Sequence, residues 1–171
     1  MSEHETAANE LVTHYSKWGF GAGCIPVPLA DLAAVTGVQL RMLTRMSALY
    51  EVPFSENRAK SIISALLGAV VSTKLGWGVG YMVASIFKSV PVLGSILGIG
   101  TMGTFAGAST YAVGKVFIRH FEAGGTFLTL DAEKAKMYFH EQYEKGVEAV
   151  KRTKASKPSS EQDTTGAAAT A

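Results

Sequence analysis

No aspartate or glutamate occurs between Glu56 and Glu122, and that gap limits what the chain can become more than any other feature. The only ionised side chains across residues 57–121 are Arg58, Lys60, Lys74, Lys88, Lys115 and Arg119, a local charge of +6. The whole 171-residue chain is +2, so everything outside this stretch sums to −4. A long apolar middle that tolerates only cations, set between mixed or acidic ends, suits an anionic lipid surface. A compact helical core whose few charges happen to be basic satisfies the same pattern. Nucleic acid is the poorer partner, because duplex binding needs a dense basic stripe and these cations are scattered among Gly, Val, Ile and Leu.

The chain is long enough for one domain with a real core, and its 47% hydrophobic and 18% charged residues exclude a disordered polymer. A single cysteine, Cys24, excludes a disulfide framework and a thiolate-based zinc site. The opening MSEHETAANE lacks the basic start and apolar run of a signal peptide, so membrane insertion is expected only through an internal segment.

Periodicity predicts helices throughout. A first runs from Asn9 to about Phe20, with Leu11, Val12, Tyr15 and Trp18 as a rough apolar stripe. Glycines at 19, 21 and 23 end it, and Ile25-Pro26-Val27-Pro28 forces an extended bend, since each proline disfavours α geometry in the residue before it. A second helix runs from about Leu29 to Tyr50, with Asp31 in its first turn and Arg41 and Arg45, four apart, on one face. Ser55 is placed to cap a third helix starting near Glu56. Residues 61–73 and 75–87 are uncharged, with Lys74 between them, and each half is about 20 Å long as a helix, short of the ~30 Å hydrocarbon core. A re-entrant hairpin, an interfacial pair and buried soluble helices all satisfy that stretch.

The best candidate for a transmembrane helix is 92–114, free of ionisable groups except Tyr111 and long enough to cross a bilayer with some tilt. Gly94 and Gly98 are four apart, as are Gly103 and Gly107, a spacing that lets helix backbones approach closely, either in lipid or in a tight soluble hairpin. Glu122-Ala123-Gly124-Gly125 is a helix stop, 126–130 an extended connector, and Asp131 a cap for a last amphipathic helix reaching about Lys151. Residues 153–171 have little to bury and are expected to be disordered.

Motifs with catalytic spelling fail on context. Residues 98–103 match GxGxxG, but no strand–helix–strand alternation surrounds them. Gly107 and Gly114 enclose six residues and Val116 follows Lys115, which is not a phosphate-binding loop. His4, His14, His120 and His140 have no metal-ligand spacing, and no GxSxG elbow occurs. No catalytic residue, cofactor or metal is therefore expected. The polar residues that stand out are Asp31, Gln39, Arg41 and Arg45, then Lys115, Arg119, His120 and Glu122, as caps, surface charges or interfacial anchors; Asp31 in particular is expected to pair with a cation across the fold.

Ile25-Pro26-Val27-Pro28, then Asp31, Gln39 and Met42, together with Ser-Thr-Tyr-Ala-Val-Gly-Lys-Val-Phe at 109–117 and His-Phe-Glu-Ala-Gly-Gly-Thr at 120–126, resemble the bacterial domain-of-unknown-function 697 family over roughly residues 10–150. Members of that family often read Tyr-Gly where this chain has Tyr50-Glu51, which puts that turn in question. The resemblance implies a helical, membrane-associated domain without established catalysis, in some relatives the companion of a P-loop GTPase domain. Such a GTPase would here be a partner in trans.

The expected object is all-α: a single domain over 9–152 of five to six glycine-rich helices, followed by a disordered tail over 153–171. It is expected to be a non-enzymatic, membrane-associated module of the cytoplasmic (inner) membrane, with its termini cytoplasmic, anchoring or regulating a partner. Arg58, Lys60, Lys115 and Arg119 would face the anionic leaflet, and the glycine-rich helices offer a route to a homo-oligomer. A soluble interaction bundle and a membrane-perturbing protein are the competing readings.

Overall fold

The computed structural model describes residues 3–22, 30–75 and 93–155. Among these, the chain forms five helices and no strand: α1 (Glu3–Ala22), α2 (Ala30–Leu49), α3 (Glu56–Leu75), α4 (Leu93–Glu122) and α5 (Ala132–Ala155). The expected all-α class is what the chain adopts. α1 starts at Glu3 rather than Asn9, because Glu3 and Glu5 sit in its first turn, where carboxylates favour the unpaired amides, and Ala7 and Ala8 sustain it. α5 runs past the expected Lys151 to Ala155. Pro26, Pro28 and residues 156–171 lie outside the described residues, as does the second apolar half, 76–87; Asp31 belongs to α2, but its side chain is outside the description.

α4 is the hub. α1, α2, α3 and α5 all pack on it, α1 and α5 most extensively. Small residues make the close crossings: a Cβ on Gly19 would lie 2.6 Å from Thr110 Oγ1 and 3.1 Å from the Ala106 carbonyl, and one on Gly107 would lie 3.1 Å from the Ser16 carbonyl. Gly114 faces Val12 with no room for a methyl group, and Gly146 meets the Ala108 backbone. These pairings make both α1 and α5 antiparallel to α4. Phe20 meets Gly107, so residues 93–102 of α4, about 15 Å of helix, lie beyond the last turn of α1.

The expected bilayer-spanning helix over 92–114 needs correction. No helix among the described residues is long and apolar enough to cross a membrane. The glycines, serines and threonines that thin out its hydropathy are the residues that let α1 and α5 close over it: Ala106, Ala108, Ser109, Thr110, Ala112 and Val113 are all buried. Gly107 is likewise occupied from within the chain, by Ser16, Phe20 and Val150.

The other end of the bundle is aromatic. Phe127 is 1% exposed and meets Phe54, Phe117 and Phe121 at ring distances of 5.4, 5.2 and 5.3 Å. Tyr50 adds a ring 5.5 Å from Phe121, and its hydroxyl donates to Glu122 Oε1 at 2.7 Å. This cluster pins the 123–131 connector, which is a turn rather than extended: the Thr129 N–H donates to the Thr126 carbonyl at 3.2 Å. Asp131 caps α5, accepting from the amides of Glu133 at 3.0 Å and Lys134 at 3.4 Å.

α2 and α4 end alike. Gly124, at φ 75°, closes a Schellman cap in which Gly125 N–H reaches the His120 carbonyl and Gly124 N–H that of Phe121, both at 2.9 Å. The turn after Tyr50 uses the same bonds, from Val52 N–H to the Ser47 carbonyl at 2.9 Å and Glu51 N–H to that of Ala48 at 3.4 Å, with Glu51 at φ 54°. The glutamate keeps the cap in a left-handed conformation that favours glycine.

Candidate functional site

α1 and α2 face each other with two stripes of helical spacing. Leu11, His14, Tyr15 and Trp18 come from α1; Ala34, Gly37, Val38, Arg41 and Arg45 come from α2. Between them lies a cleft of about 560 Å³. Gly37 keeps it open, since a Cβ there would meet nothing within 4 Å. Trp18 is 62% exposed although it is the largest apolar side chain on α1. Its indole N–H donates to His14 Nε2 at 3.0 Å, joining two residues that both line the cleft. His14 in turn stands edge-on to Tyr15, with ring centroids 5.5 Å apart. Arg41 and Arg45, both exposed, have no acidic partner among the described residues.

Behind this cleft, on the face of α2 turned to α4, Gln39 is fully buried with Ser109 and Thr110. Both hydroxyls donate to the Ala106 carbonyl, at 3.0 and 2.8 Å. They can therefore only accept from the Gln39 amide, whose Nε2 lies 3.4 Å from each, and the Gln39 carbonyl oxygen is left without a donor. Such an oxygen costs about 1–3 kcal/mol.

The four cations expected at lipid separate into two settings. Lys115 is half-buried between α1 and α4, donates to Asn9 Oδ1 at 2.6 Å and lies 5.4 Å from the Tyr111 ring centroid; burial pushes its ammonium below the usual lysine range. The other three are exposed at the far end of the bundle. Arg58 donates to the Leu128 carbonyl at 3.3 Å, Lys60 pairs with Glu56 at 2.6 Å, and Arg119 stacks over Tyr138 at 4.5 Å. Arg58 and Arg119 line shallow clefts on opposite sides of the same Thr129–Leu130–Asp131 turn, so the fold brings them together, but at the end away from residues 93–102. His120 reads out that turn, its Nε2 2.9 Å from the Thr126 carbonyl and 3.1 Å from Thr129 Oγ1. Among the described residues no group of three or more His, Cys, Asp or Glu could hold a metal ion.

Arg41 and Arg45 were legible as a pair; His14 and Trp18, which complete the cleft, were not. Trp18 was expected in the apolar stripe of the first helix and is instead 62% exposed, and only the α1–α2 packing shows what it and His14 face.

The chain matches the family described as "Domain of unknown function (DUF697)" over residues 1–152. It is 39% identical over 165 residues to the "Magnetosome membrane protein 22" of Magnetospirillum gryphiswaldense, covering 96% of this chain and 83% of that protein. No solved structure matches it.

Proposed function

The chain belongs to the domain-of-unknown-function 697 family, and on that premise we propose that it is a non-enzymatic helical module that binds an anionic membrane surface. Residues 69–102 are the contact. The observation that carries this reading is the acid-free stretch together with where the fold sends it: α4 leaves the cover of α1 at about Gly107, and the sequence that reaches it from α3 holds only Lys74 and Lys88 as charges. The relative's printed name, which sets that protein in a membrane, supports the same reading. Contact through this stretch needs no crossing helix, and both chain ends would then stay on one side of the bilayer. The cations within residues 69–102 are Lys74 and Lys88. Arg58 and Arg119 lie by the 129–131 turn, at the end of the bundle away from residues 93–102.

Vesicle flotation tests this. The chain should float with vesicles containing phosphatidylglycerol and stay down with pure phosphatidylcholine, and the double change Lys74→Glu, Lys88→Glu should cut the floated fraction severalfold. Equal loss from Arg58→Gln, Lys60→Gln, Arg119→Gln would place the contact on the other end. Failure to float with either vesicle would end the membrane reading. The GTPase partner that the family resemblance implies is not part of this proposal.

A further inference from the structure

We propose that the cleft between α1 and α2 is a binding site for an organic phosphate ester, held by Arg41 and Arg45 and covered by Trp18.

The charge comes first. Two guanidinium groups four residues apart on one helix face share a wall of the cleft, and neither is engaged by an acid among the described residues. Arginine pairs of this kind match the oxygens of a phosphate with parallel hydrogen bonds, which a lysine pair would not. The opposite wall is aromatic: the Trp18 indole is 62% exposed and hydrogen-bonded to His14, another residue of that wall. Leu11, Ala34 and Val38 add apolar lining.

The size decides between a bare anion and an ester. About 560 Å³ lies inside the roughly 300–1,000 Å³ range of small-molecule sites and leaves most of the space unfilled around an inorganic phosphate. An ester places its anionic head between the two arginines and its organic part against Trp18 and the apolar lining. That organic part has two sources, the glycerol of a phospholipid headgroup or the nucleoside of a soluble nucleotide. The shared chemistry is the phosphate with a ring or short carbon chain attached. This goes beyond the membrane proposal and does not depend on it, because among the described residues none that lines the cleft falls within 69–102.

Trp18 is the reporter. The chain has two tryptophans, so Trp77→Phe leaves Trp18 alone. Titrating this variant with glycerol phosphate, with short-chain phosphatidylglycerol below its micellar concentration and with adenosine monophosphate should give a saturable change in Trp18 fluorescence. A response to the first two alone identifies a lipid headgroup; a response to the nucleotide alone identifies a soluble ligand. Either supports the site. Arg41→Gln and Arg45→Gln, both on exposed positions, should each weaken binding about tenfold. Gly37→Phe should abolish binding while leaving helical content and vesicle flotation unchanged, since a Cβ at that position meets nothing within 4 Å. The proposal fails if no ester gives a saturable response, if inorganic phosphate binds as well as the esters, or if the arginine and Gly37 variants bind like the parent. Loss of flotation with binding retained would overturn the membrane reading and leave this one standing.

Discussion

At the scale of single residues, Glu51 shows how a cap can form on the wrong side chain. Its φ of 54° costs about 1–2 kcal/mol in a residue with a Cβ, while both capping hydrogen bonds are still made. Glu51→Gly relieves that strain and returns part of it as extra freedom in the unfolded chain, about 0.4–1 kcal/mol. Urea melts should therefore show the variant more stable by about 1 kcal/mol with an unchanged slope. Its neighbour Tyr50 ties the ends of α2 and α4 together, and its hydroxyl is pushed up, first by burial and then by donating to Glu122. The folded state thus holds a proton that the unfolded chain releases near the ordinary value of 10.0. The stability this gives is fully present below that pH and drains away above it. The margin by which the parent outlasts Tyr50→Phe in melts should accordingly shrink as pH is raised past 10.0. A margin that stays constant would show that the hydroxyl is not held in this way.

At the scale of elements, α4 is the test of what glycine does here. Gly114→Ala drives a methyl group into Val12 and should destabilise by about 1–3 kcal/mol, and Gly146→Ala against the Ala108 backbone should act in the same direction. Gly37→Ala, with open space around it, should instead stabilise by about 0.5–1 kcal/mol. Thermal melts of the three variants check the contrast. The sequence made the existence of each described helix legible, and the stop at Gly124-Gly125 and the cap at Asp131 are used as expected. α1, by contrast, runs through Gly19 and Gly21 to Ala22 and turns Trp18 of its expected apolar stripe outward. The role of α4 was not legible in the same way. Few charges and many small residues are what a lipid-facing helix shows, and equally what a helix shows when neighbours close over it on several sides. Hydropathy counts only what is apolar; it does not say whether lipid or Val12, Phe20 and Val150 lie alongside. The cleft suffered from the same blindness, because His14 and Trp18 face Arg41 and Arg45 from a different helix and no periodicity links the two.

At the scale of the whole molecule, charge and shape divide the bundle into two ends. One carries the aromatic cluster around Phe127 with Arg58 and Arg119 beside it; the other carries the start of α4. If the bundle meets lipid through residues 69–102, attraction comes from Lys74 and Lys88, and it should weaken steeply as salt is raised. Exposed charges are largely screened beyond about 10 Å at 0.1 M. Flotation repeated across a salt series should lose the anionic preference while keeping a residual apolar attachment. Salt-independent binding would show that the cations take no part.

Trp18 and Gly19 are neighbours in sequence with opposite duties: one walls the cleft, the other is wedged against Thr110. α1 therefore has no room to move closer to α4 at that point. α2 meets the same threonine from its own side, through the Gln39 amide 3.4 Å from Thr110 Oγ1. Thr110 is thus a point where both walls of the cleft touch α4, and a bulkier side chain there should displace the two helices together.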